Sequence, residues 1–153
     1  MVRLATSFDA SAIATLFHET VKKVNARDYD VKQIAAWAGA APDVAKWRAR
    51  QAGRTTLVFE VGGTVRGFAE FAANGQVEAI YVHADHQRKG IASALLLQME
   101  EDARRLGVAR LFTEASTTAR SFFQKRGFKV LKQQEVDYQG SSFTNFRMAK
   151  SLL

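Results

Sequence analysis

The chain has 153 residues, 47% of them hydrophobic, with 22 Lys and Arg against 15 Asp and Glu, a formal charge of +7 and no cysteine. This is enough for one core of ordinary domain size, and it excludes disulfide frameworks, thiolate metal sites and a cysteine nucleophile. No run approaches about 18 apolar residues and Met1 to Ala5 carry no signal-like stretch, so a single domain over 1–153 with a cytoplasmic location and no membrane partner is expected; the cations are scattered without interleaved aromatics, which argues against a nucleic-acid partner.

Residues 2–4 read as a short first strand. Asp9 or Ser11 is placed to cap a helix whose apolar positions are Ile13, Leu16, Phe17, Val21 and Val24, with His18 toward its polar side. The stretch 25–28 breaks that helix. A shorter one around 31–38 presents Ile34 and Trp37 and ends at Gly39. Pro42-Asp43 then opens a third helical turn with Trp47. The pattern next switches to strands at 55–61 and 64–72, joined by Gly62-Gly63, and Asn74-Gly75 turns the chain into a third strand at 76–82. The plainest helix runs from Gly90 to Leu106, with Ile91, Leu95, Met99, Ala103 and Leu106 along one stripe and Gly107 following. A strand at 108–114, a short helix at 118–126 and a last hairpin of 128–136 with 142–148 complete the order.

One strand–helix–strand unit (76–82, 90–106, 109–114) should be a right-handed parallel crossover. The remaining strands pair as hairpins. The fold class expected is α/β (α+β): a mixed, mostly antiparallel sheet of about seven strands with helices on both faces.

The residues between 82 and 93 carry the chemistry. Arg88 and Lys89 sit where the long helix begins, at the positive end of its dipole, where cations oppose helix stability. They make sense beside an anion held on the free amides of the first helical turn, with Gly90 letting the chain approach. Arg104 and Arg105, in the last turn of the same helix, complement the dipole and need no further account.

Two signatures in this setting resemble the GNAT superfamily of acetyl-CoA-dependent N-acetyltransferases. One is the pyrophosphate motif Gln/Arg-x-x-Gly-x-Gly/Ala, here Gln87-Arg88-Lys89-Gly90-Ile91-Ala92. The other is Ala-x-x-x-Tyr-x-x-x-Gly-Phe, here Ala119 to Phe128 with Phe123 at the tyrosine position. The closing strand Thr144-Asn145-Phe146-Arg147-Met148 also fits, so the resemblance spans essentially the whole chain. A dinucleotide loop would want three glycines, and a Walker loop a Lys after its Gly; neither pattern is present.

The resemblance implies acetyl-CoA as cofactor. Its pyrophosphate would lie on the amides of Arg88 to Ser93, and its pantetheine arm along Ile80 and Val82, with the Val82 N–H aimed at the thioester oxygen. Gln87, Ser116 and Phe123 would complete the cofactor contacts. It also implies a small-molecule amine acceptor, with a protein amino terminus or lysine as the rival acceptor and an acyl-CoA-binding module as the rival class. Strand alternation would put Gln76, Glu78, Ile80 and Val82 on one side. Glu78 is then either a base or amine anchor or a solvent-facing acid beside a cation, and water could take the proton instead. Phe123 has no proton for the leaving thiolate; Tyr81, Tyr138 and His83 are the other donors in reach of consideration. Tyr29 and Trp37, with Asn25 to Asp28, form an aromatic-polar cluster that either closes over an acceptor or packs on the sheet. Asn145 and Tyr138 are secondary recognition candidates, and a homodimer through the last strands is implied by resemblance alone.

Overall fold

The computed structural model describes every residue from Met1 to Leu153. The elements are β1 (Val2–Leu4), α1 (Ala10–Lys23), α2 (Val31–Ala38), α3 (Val44–Gln51), β2 (Thr55–Val61), β3 (Thr64–Phe71), β4 (Gln76–Val82), α4 (Ile91–Arg105), β5 (Arg110–Ser116), α5 (Arg120–Lys125), β6 (Lys129–Tyr138) and β7 (Ser141–Ser151). One seven-stranded sheet has the order β1-β2-β3-β4-β5-β7-β6. Only β4 and β5 run parallel. The mixed sheet expected from the pattern is therefore the one observed.

Two cores lie on opposite faces. Leu95, Leu96, Met99 and Ala103 of α4 and Phe123 of α5 pack with Phe71, Val77, Leu111, Phe146 and Met148. On the other face Ile13, Leu16, Phe17 and Val21 of α1, Ile34 of α2 and Trp47 of α3 cover Val58, Phe68 and Ala79. Burying faces of this kind at roughly 25 cal/mol per Å² is what holds the helices to the sheet.

Several local expectations are corrected. Asp9 does not cap α1. Its carboxylate accepts from Thr6 N at 2.7 Å and from both Arg3 Nη atoms at 2.8 and 2.9 Å, and the Arg3 guanidinium holds it below the usual carboxylate range. His18 is buried, with Nδ1 3.1 Å from Ala38 O, where it ties α1 to the end of α2. Leu106 leaves the apolar stripe and is 59% exposed. The helix closes there: Val108 N donates to Ala103 O at 2.9 Å, so the chain turns away before Leu106 can face the core. That closure also delays the next strand, which starts at Arg110 and not at 108. The last hairpin is longer than expected, and it turns through Gln139 and Gly140, both at positive φ.

Gly67 sets how closely α4 sits on the sheet. A Cβ there would lie 2.7 Å from Ile91 Cγ2 and 3.3 Å from Leu95 Cδ1. Gly67 also stands opposite Val82, so the first turn of α4 rests directly over the end of β4. Gly67→Val should cost about 1–3 kcal/mol by overpacking; denaturant melts with an unchanged midpoint would show that α4 has room to move.

Candidate active site

The parallel pair β4 and β5 is joined at its start only. Gln76 stands beside Phe112 and Val77 beside Thr113, and no further rows pair. Each strand remains paired on its outer side, β4 with β3 and β5 with β7. Beyond Val77 the sheet opens into a slit.

The main chain of β4 faces that slit in a defined way. His83 N donates to Arg66 O at 2.8 Å and Val82 stands opposite Gly67. Antiparallel bonding alternates along a strand, so Tyr81 and His83 direct their amides to β3 while Ile80 and Val82 direct theirs into the slit. Two carbonyls on this edge, those of Val77 and Val82, have side-chain partners. Val77 O accepts Thr113 Oγ1 at 3.0 Å, and Val82 O accepts Gln87 Nε2 at 2.6 Å and Thr20 Oγ1 at 3.4 Å. Gln87 thus braces the end of β4.

A β-bulge corrects the expected alternation. Phe71 pairs with Val77 but Glu70 pairs with Ala79, leaving Glu78 as the extra residue. Val77, Ile80 and Val82 belong to the α4 face, whereas Ala79 and Tyr81 belong to the α1 face. Glu78 does not share a side with Ile80 and Val82. Its Oε1 lies 3.6 Å from Arg54 Nε, and the same Nε is 3.8 Å from Glu70 Oε1. Glu70 is fully buried and paired to Arg50 at 2.6 Å, so Glu78 ends a chain of charges running out from beneath α3.

The slit holds a cleft of about 220 Å³, lined by Glu78 to Val82 on one edge and by Thr113, Ala115 and Ser116 on the other. Trp37 and Asn25 close it on the α1 side, and Phe122 and Phe123 on the α5 side. It therefore passes through the sheet and opens to both faces. Phe123 is buried and packs edge-on to Phe128, 5.0 Å between centroids. Ser116 Oγ accepts Ala119 N at 3.1 Å, which starts α5. Of the three alternative proton donors only Tyr81 lines the cleft. Burial pushes its phenol up, so it stays protonated at neutral pH.

At the α4 end, Gly90 has φ +80° and Arg88 φ +59°. Two left-handed residues so close together curl the loop so that successive amides point inward, as in anion-binding nests. The first turn contains no acid, and Ala94 N is the first amide bonded back, to Gly90 O at 3.0 Å. The amides before it have no helical acceptor. Arg88 and Lys89 are exposed and make no ion pair within 4 Å. Ile91 is a core residue by its side chain, so only its amide is available. A third cation was missed: Arg126 Nε donates to Ser93 Oγ at 3.0 Å, and its guanidinium lies 5.7 Å from the Phe122 ring. Its distance in sequence hid it, although the residue before Gly127 in the second signature is a place to look. These features fit a diphosphate.

The cluster around Trp37 is clamped across the α1-side mouth of the slit. Tyr29 Oη accepts Thr117 N at 2.8 Å, Asp28 Oδ2 accepts Thr118 Oγ1 at 2.7 Å, and Gln33 Nε2 donates to Ser142 O at 2.7 Å. Tyr29, Trp37 and Phe143 pack on one another at centroid distances of 5.2 to 6.0 Å. Trp37 lines the slit; Tyr29 does not, and lines instead a second cavity of about 330 Å³. Trp37 and Ser116 are walls of both.

Comparison with known proteins agrees with this geometry. The family model described as an acetyltransferase (GNAT) domain matches residues 25–150. An uncharacterized N-acetyltransferase of Escherichia coli K12, YafP, is 31% identical over 140 residues, 92% of this chain and 88% of that protein. The crystal structure of a GCN5-related N-acetyltransferase from Rhodopseudomonas palustris is 32% identical with a TM-score of 0.94, covering 99% of this chain and 94% of that one. The yncA acetyltransferase of Salmonella typhimurium, solved with its cofactor acetyl-CoA, is 26% identical with a TM-score of 0.71 over 100% of this chain and 94% of that one. The chain belongs to the GNAT acetyltransferase family and is an acyltransferase.

A Cβ on Gly90 would meet nothing within 4 Å. The bulk of a side chain there therefore opposes the ligand, and the left-handed backbone opposes the side chain. Gly90→Glu should abolish acetyl-CoA binding in titration calorimetry. Arg126→Ala, removing one exposed cation, should raise Kd only about two- to fivefold; equal losses from both variants would contradict a cradle built on main-chain amides.

Proposed function

We propose that the protein transfers the acetyl group of acetyl-CoA to a primary amine of a small molecule by direct attack. The observation that carries this reading is the open β4–β5 slit, with the Ile80 and Val82 amides turned into it beside a cationic helix start. Acetyl-CoA supplies an activated acyl thioester. The first-turn amides of α4, with Arg88, Lys89 and Arg126, hold its diphosphate. The Val82 N–H then donates to the thioester oxygen as negative charge develops there, and such fixed donors are worth most where water is excluded.

The acceptor approaches from the α1 face, where the bulge delivers Glu78. An ammonium with a pKa near ~10 must lose its proton before attack. Glu78 takes that proton, directly or through one water, and Arg54 fixes the carboxylate. The chain has no cysteine to carry an acyl intermediate. At position 123 phenylalanine replaces a proton donor, and a thiolate with a pKa near ~8.5 leaves without strong assistance. Phe123 acts by packing along the arm of the cofactor. A clamped lid of Tyr29 and Trp37 favours a small acceptor over a protein chain, which needs an open groove.

Phe123 also motivates a second reading, an acyl-CoA-binding module with little turnover. Thiol release over an amine panel separates the two, since binding without release for every amine supports the module. Glu78→Gln should lower kcat about 100-fold or more at neutral pH and flatten its acidic limb, as loss of a general base does. Unchanged turnover would retire that role.

A further inference from the structure

The second cavity has a chemistry that acetyl transfer to a simple amine does not use. It adjoins the slit through Trp37 and Ser116, and the carboxylates of Glu114 and Asp137 lie on its rim. Neither acid makes an ion pair within 4 Å in a chain where cations outnumber acids 22 to 15. Arg147 stands opposite Glu114 across the strands without closing such a pair. Asn145 Oδ1, in the cavity wall opposite Ser116, is shielded from solvent and accepts no hydrogen bond. The remaining wall is aromatic, from Tyr29, Trp37, Phe143 and Tyr138.

Aromatic faces, free carboxylates and an unused carbonyl acceptor share one complementary ligand group. A cation is attracted to the ring faces and to the acids, and an ammonium has the N–H that Asn145 lacks a partner for. An anion would answer none of the three, and a plain alkyl tail would answer the aromatic faces alone, leaving the acids and the Asn145 carbonyl unpaired. Resting on the acetyltransferase reading above, we infer that this cavity binds a second ammonium group of the acceptor. The substrate class is then a diamine or polyamine. One nitrogen reaches Glu78 through the slit while the other lies between the aromatic wall and Asp137. Strand placement supports that division. Phe112, Glu114 and Ser116 alternate with Leu111 and Ala115, which are buried in the α4-side core. Glu114 therefore shares the face on which the bulge places Glu78.

The test is CoA release from acetyl-CoA with linear diamines from ethylenediamine to hexamethylenediamine, each paired with the monoamine of equal chain length. The expected result is a kcat/KM preference of about tenfold or more for the best diamine, beyond the statistical advantage of offering either end. The preference should reside in KM and fall with added salt, because the acids are near the surface. In Glu114→Gln/Asp137→Asn the diamine-to-monoamine ratio should collapse toward the statistical advantage alone. Equal turnover of diamines and monoamines by the unaltered enzyme would overturn the second-ammonium site while leaving acetyl transfer intact, as would a ratio that survives the double substitution. Absence of CoA release with every amine would instead overturn the transfer reading on which the inference rests.

Discussion

The rest of the molecule depends on two neighbouring parallel strands ceasing to pair after two rows. An intact sheet would satisfy the Ile80 and Val82 amides with β5 carbonyls and leave no opening. Here both strands are anchored on their outer edges, and side chains from Thr113, Gln87 and Thr20 occupy the carbonyls of Val77 and Val82. Donors remain where a ligand carbonyl can use them, at low reorganisation cost.

The bulge at Glu78 is the second half of the same device. A slit through a sheet has two mouths, and a reaction between two molecules needs its donor and acceptor groups on opposite sides of it. The proposed cradle lies at the α4 mouth. One extra residue in β4 swings the carboxylate to the α1 mouth without moving the amides that follow. Gly67 keeps α4 close enough for its first turn to stand over the end of that strand. Tyr29 and Asp28 are tied by hydrogen bonds to the loop after β5, so the α1 mouth beside Trp37 is shaped by elements distant in sequence.

Much of this is legible in the chain itself. The turns at Gly62-Gly63 and Asn74-Gly75 bound β2, β3 and β4 nearly to the residue, and misplaced cations at a helix start single out the loop proposed here to hold the diphosphate. What sequence hides is whatever depends on register. Alternation puts Glu78 beside Ile80, and only pairing with β3 reveals the extra residue. His18 reads as a surface residue because its partner, the Ala38 carbonyl, ends another helix. Arg126 lies 33 residues from the serine it caps. Asp9 has the spacing of a helix cap, but Arg3, brought beside it by β1, competes for its oxygens.

The slit-facing amides can be watched directly. Amide chemical shifts of isotopically labelled protein titrated with acetyl-CoA should move most at Ile80 and Val82 and across Ile91 to Ser93, while Tyr81 and His83, bonded to β3, move little. Saturable shifts confined to other residues, with Ile80 and Val82 unmoved, would contradict the account.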